Sequence, residues 1–145
     1  MRVAMVAAAL LMVATGIAQS VLSAEATTRS VWDGVYTAEQ AKRGGPLYAQ
    51  HCSSCHGTTF EGGEMAPPLA GGTFNANWNG LSLGDLAERI RISMPQNNPN
   101  SLSRQQYVDI LAAMLGGGEF PQGNAELPRE VDVLRQIAFE SMKRQ

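Results

Sequence analysis

A chain of 145 residues with 44% hydrophobic side chains has room for one compact domain and no more. Its formal net charge of −2, from 11 basic and 13 acidic side chains, gives no sign of the basic face that nucleic-acid binding needs. It is also too small to steer one partner strongly by long-range attraction.

Arg2 opens an almost unbroken apolar run from Val3 to Ala18, with small residues continuing through Ala24. A positive start, an apolar stretch and a small-residue exit make the layout of a secretory signal peptide. Residues 1–24 are therefore expected to be removed near Ala24–Ala26, leaving residues 25–145 as a soluble periplasmic domain. If the segment stays uncleaved, its roughly 20 uncharged residues are long enough to anchor the chain in a bilayer. Arg2 is the one basic residue in the leader, so its loss leaves 10 basic against 13 acidic side chains.

Ser30 to Tyr36 reads as an extended lead-in. Thr37-Ala38-Glu39-Gln40 then predicts a capping box, with Thr at the N-cap and Gln three residues on. The helix it opens runs toward His51, and Pro46 inside it predicts a break or bend, because an interior proline removes a hydrogen bond.

The densest chemistry follows at once. Both cysteines and both histidines of the chain fall in His51-Cys52-Ser53-Ser54-Cys55-His56. Cys-x-x-Cys-His is the spacing of a c-type haem attachment site. On a helix the two thiols lie a turn apart on one face, where each can bond a haem vinyl group. His56 then sits beneath the iron as its proximal ligand. Three other uses of these residues fit less well. A thioredoxin-like pair wants a βαβ setting, a structural zinc wants four ligands, and a disulfide across two residues is strained.

From Gly57 to Asn79 the chain is rich in glycine and proline, shows no sustained period and reads as loop. Such length is unusual in a compact domain unless the loop wraps a large apolar cofactor and borrows its core. Ser82-Leu83-Gly84-Asp85 starts the next helix, with Leu83, Leu86 and Ile90 on one side, and Pro95 ends it at Met94. Ser103 with Gln106 predicts a further capping box, stapled by Leu102 and Tyr107. That helix carries Tyr107, Val108, Ile110, Leu111, Met114 and Leu115 and stops at Gly116-Gly117-Gly118. A last amphipathic helix is expected over residues 128–142, showing Val131, Leu134, Ile137, Ala138 and Met142. No repeat and no alternation long enough for a sheet is present.

A sixth iron ligand follows from elimination. His51 is bonded to Cys52 and cannot reach the opposite face of the same haem, so a thioether is the natural choice. Met114 sits mid-helix among apolar neighbours, where methionine usually fills core. Met142 lies near the chain end on a packing face, and Met65 follows His56 by only nine residues on the proximal side. Met94, at a helix end beside Pro95 and a flexible loop, is the candidate; its other reading is a plain buried helix-end residue.

These residues together resemble a class I c-type cytochrome over roughly residues 32 to 128. The likeness is carried by Gly44 and Tyr48, Cys52 to His56, Pro67, Leu69, Gly71, Trp78, Met94-Pro95, Ser101 to Ser103 and Phe120-Pro121-x-Gly123. Trp32-Asp33-Gly34-Val35-Tyr36-Thr37 and Phe120-Pro121 make it most similar to haem domains that serve periplasmic quinoprotein alcohol dehydrogenases. The resemblance implies an all-α class I fold of about four to five helices, with long loops wrapped round one covalent haem c. It implies that the Pro67 carbonyl accepts the His56 ring N–H, that Leu69 and Phe74 pack on the porphyrin, and that Trp78 meets a propionate. Arg89 and Arg91 could offset propionate charge, although solvated helix arginines are the common case. Gly44 marks the crossing of the first helix with the Tyr107–Leu115 helix. The family's usual tyrosine is replaced by Ala113, so that contact is expected to be looser or differently filled.

The function expected from these residues is single-electron transfer between a dehydrogenase, possibly a quinoprotein, and an acceptor such as a terminal oxidase or another cytochrome. No acid, base or nucleophile set argues for an enzyme. Two alternatives stay open: a membrane-anchored haem subunit of a redox complex, and a ligand-sensing haem protein with a displaceable Met94.

Overall fold

The computed structural model describes residues 29–145; the signal segment expected over residues 1–24 lies outside them. Thr37 caps the first helix, α1 (Ala38–His51), by accepting the Gln40 N–H. The expected reciprocal half of that capping box is absent, because the Gln40 side chain is used elsewhere. It is fully buried and pairs with Leu127, donating to its carbonyl (3.1 Å) and accepting from its N–H (2.7 Å). A side-chain amide thereby satisfies both backbone groups of a buried loop residue, which would otherwise be costly to leave unpaired.

The helix runs unbroken through Pro46, so the break that proline allowed does not occur. Pro46 lies on the exposed side, where solvent can replace the bond the proline removes. A short turn, α2 (Ser53–His56), follows. The stretch expected to be loop contains a helix, α3 (Gly71–Trp78). Its glycines and asparagines hide it from propensity. It is held by Phe74 and Trp78, one turn apart, whose rings lie 6.2 Å from each other.

Ser82 and Asp85 form a full capping box for α4 (Leu83–Ser93). Leu83 and Leu86 are buried as the period predicts. Ser103 and Gln106 cap α5 (Arg104–Gly117) in the same way. Tyr107 through Leu115 are buried without interruption, so α5 is the central helix and its neighbours are arranged round it.

The close crossing of α1 and α5 depends on Gly44. A Cβ there would stand 1.8 Å from the Asp109 carbonyl oxygen. Beside it Arg43 forks onto the buried Asp109 (3.1 Å) and onto Glu126 (2.8 Å), tying α1 to α5 and to the following loop. Ala113 is buried, and one turn on, Gly117 leaves room for Phe60, whose ring atoms would lie 2.4 Å from a Cβ. Phe60 thus packs on α5 one turn beyond Ala113.

The C-terminal helix expected over residues 128–142 is corrected by the structure. Only a four-residue turn, α6 (Val131–Leu134), is helical. The chain then extends into β2 (Ile137–Ala138), which pairs in parallel with β1 (Arg29–Ser30) in the register Arg29 to Ile137. Ile137 and Phe139, two apart, are both buried, whereas Met142 is 78% exposed. Burial therefore follows strand spacing rather than helix spacing. Phe139 inserts between Phe74 (5.8 Å) and Phe120 (5.3 Å), and Phe120 meets Trp32 at 4.8 Å. Ring pairs of this kind contribute about 0.5–1.5 kcal/mol each beyond area burial. The described residues otherwise hold four helices of eight residues or more, as the all-α expectation requires. Among them no helix is long and apolar enough to cross a membrane.

Tyr36 gives the domain a testable alkaline limit. Its buried hydroxyl donates to the Phe120 carbonyl at 2.7 Å, and burial raises its pKa above the ordinary 10.0. The unfolded chain ionises first, so this contribution is complete below about pH 10 and is lost as pH climbs through the raised folded value. Urea unfolding between about pH 9 and pH 11.5 should show a steeper fall in the parent than in Tyr36→Phe.

Candidate haem site

The attachment motif is set by the end of α1 and the α2 turn. Cys52 ends the first and precedes the second, with its N–H on the Tyr48 carbonyl at 2.9 Å. Cys52 and Cys55 are free thiols, the first half-buried and the second exposed. Burial, and then the neighbouring Cys55, push the Cys52 thiol up to about 11. One thiol faces the interior and the other the surface.

His56 is buried, and its Nδ1 lies 2.8 Å from the Pro67 carbonyl. That bond places the ring proton on Nδ1 and leaves Nε2 as a donor to a metal. Two further bonds hold the backbone of this turn. Tyr48 donates its hydroxyl to the Gly57 carbonyl (2.7 Å), and Gly62 donates its N–H to the His56 carbonyl (2.8 Å).

The proximal loop is itself braced. Leu69 N–H reaches the Phe60 carbonyl at 2.8 Å. Phe60 adopts φ +64, the left-handed region that side chains seldom occupy, and packs against Tyr48 at a tilt, with ring centroids 4.2 Å apart. Sequence reasoning missed Phe60; its signal was only an aromatic residue in a polar, glycine-rich stretch.

Met94 is half-buried at the C-terminal cap of α4, its N–H on the Ile90 carbonyl at 2.8 Å. The other methionines among the described residues are placed differently. Met65 is 82% exposed, Met142 is likewise at the surface, and Met114 is buried in the α5 core.

Phe74 is buried, and Leu69 and Trp78 are half-buried against the main core. The Trp78 indole N–H has no protein acceptor among the described residues. Arg89 is exposed and holds no ion pair there. Arg91 is engaged differently from expectation: its guanidinium pairs with Glu88 and donates to Asn100 Oδ1 at 2.8 Å. It fastens the loop after α4.

The donor set fits a covalently held haem: two unbridged thiols three residues apart, a buried imidazole with one nitrogen already committed, and apolar rings close by in the fold. Among the described residues no group of three or more His, Cys, Asp or Glu could hold a separate metal ion.

The sequence family described as cytochrome c oxidase, cbb3-type, subunit III matches residues 39–112, just over half of the chain. The chain belongs to this cytochrome c family. As a cytochrome c domain it carries covalently bound haem c and works by haem-based electron transfer. Among solved structures it is similar to the sulfane dehydrogenase SoxCD from Paracoccus pantotrophus, at 21% identity and a TM-score of 0.52. That match covers 74% of this cytochrome and 61% of the other chain, so this protein spans less than two thirds of it. At that identity the likeness is one of fold, and it agrees with the helical cytochrome c architecture described above. No curated protein matches the sequence.

Proposed function

We propose that the chain is an exported, periplasmic one-electron carrier with a single class I haem c ligated by His56 and Met94. The observation that carries this reading is the His56 Nδ1 bond to Pro67 at 2.8 Å, which frees Nε2 for iron directly beside Cys52 and Cys55. Bound haem c supplies an iron couple that exchanges one electron with little change of geometry.

The chain's own residues do the rest. Cys52 and Cys55 hold the group through thioethers, and the Pro67 carbonyl orients the imidazole and strengthens it as a donor. Met94 would supply the second iron ligand, which would close the site to oxygen and small molecules. Leu69 and Phe74 would pack on the group and keep water away, and Trp78 and Arg89 would meet its propionates. The exposed Cys55 marks the edge through which electrons pass to a small, transient partner surface.

The donor we favour is a periplasmic dehydrogenase of the quinoprotein alcohol class, on the strength of Trp32 to Thr37 and Phe120-Pro121. The acceptor we favour is a terminal oxidase or another cytochrome. The family description names an oxidase subunit, and this supports a second reading in which the chain is a fixed haem subunit of such a complex. The apolar segment before Ala24 would be its anchor if it is retained.

The test is covalent attachment followed by electron exchange. The mature protein should carry one haem per chain that resists acid–acetone extraction. Cys52→Ser with Cys55→Ser should release essentially all of it. Extractable haem in the parent protein would sink the attachment reading. Rapid reduction by a quinoprotein dehydrogenase, without turnover of its own, separates carrier from enzyme.

A further inference from the structure

Resting on the reading of Met94 as distal ligand, we infer that Tyr107 is a positioning residue that latches Met94 in place and keeps foreign ligands off the iron. Tyr107 lies in the first turn of α5 and is 4% exposed. Its hydroxyl donates to the main-chain carbonyl of Met94 at 2.9 Å.

The other ties of this segment are local. Asn98 N–H bonds the Pro95 carbonyl and Asn100 N–H bonds the Arg91 carbonyl, both at 2.9 Å. The Arg91 guanidinium reaches Asn100 Oδ1, and Met94 N–H returns to its own helix at Ile90. These bonds close the loop on the end of α4 but do not fix that loop against the core. Tyr107 comes from the central buried helix and is, among the described residues, the side chain from outside the loop that hydrogen-bonds Met94. Nothing in electron transfer as such requires this bond. Its place matters because the sulfur can leave the iron only if the Met94 backbone swings or the side chain turns away.

The consequence is a population argument. A foreign ligand binds only the fraction of molecules in which Met94 has left the iron, and its apparent affinity scales with that fraction. A bond made in the closed state and broken in the open one lowers that fraction by roughly tenfold, the usual net effect of one hydrogen bond.

The experiment uses the oxidised, haem-loaded full-length protein titrated with imidazole and followed in the Soret region. Tyr107→Phe should keep the weak far-red band of a thioether–iron(III) bond yet bind imidazole about tenfold more tightly than the parent. Tyr36→Phe is the matched control, because it also removes a buried hydroxyl that donates to a backbone carbonyl, and it should bind imidazole like the parent. Tyr107→Leu gives the same comparison if the phenylalanine variant does not fold. Unchanged imidazole affinity in the Tyr107 variants, or an equal gain in Tyr36→Phe, overturns the latch. The ligand reading is tested separately: if Met94→Ala keeps the far-red band, that reading fails and the latch goes with it.

Discussion

Replacing Gly44 by alanine is expected to cost about 3 kcal/mol or more of folding stability, a large share of the roughly 5–15 kcal/mol of an ordinary domain. The new methyl would sit 1.8 Å from the Asp109 carbonyl oxygen, 2.4 Å from its carbon and 3.0 Å from the Ile110 nitrogen. All three are backbone atoms of a helix, so no side chain can turn aside, and α1 must back away from α5. That movement loosens the fork from Arg43 to Asp109 and Glu126. It also shifts Tyr48, whose hydroxyl holds the turn after His56. Haem retention should therefore fall along with the urea midpoint. Gly45→Ala is the control, with no atom within 4 Å of its Cβ. It should stay within about 1 kcal/mol of the parent, the helix preference of alanine being offset by crowding ahead of Pro46. Equal stability of the two variants would mean that the crossing is not as close as described.

Met94→Ala should abolish the far-red thioether band and open the iron to small ligands. The reduction potential should fall by a sizeable part of the roughly 0.8 V over which axial ligands set it. Thioether ligation favours Fe(II), and water or hydroxide in its place favours Fe(III). Met65→Ala and Met142→Ala, at exposed positions, should leave the band and the potential unchanged. Voltammetry with a visible spectrum of the oxidised protein reads both quantities. A Met65→Ala variant that loses the band would move the distal ligand to the proximal loop and overturn the reading of Met94.

What was legible in the sequence followed from local rules. The helix start at Ser82, the Ser103 capping box and the stop at Met94-Pro95 depend on residues within four positions of one another, and each stands in the structure as expected. The Cys52-x-x-Cys55-His56 group is equally local, since one helical turn brings the thiols to one side. Gly44 was legible through resemblance, and the structure supplies its reason in the Asp109 carbonyl.

Distance along the chain marks where this reading stopped. Residues 128–142 carry apolar side chains at helical intervals, yet only Val131–Leu134 is helical. Pairing with Arg29–Ser30 and the slot for Phe139 between Phe74 and Phe120 outweigh local preference there. Gln40 left its own N-terminus for Leu127, 87 positions on, and Phe60 left a polar loop for Gly117. The sequence by itself thus determined the cofactor, its attachment and the ends of the main helices, because those depend on neighbours. Only the tertiary structure decided the seat of Phe60 on Gly117, the hold on Met94 and the path of the C-terminal segment, because each depends on groups that meet only after the chain has packed.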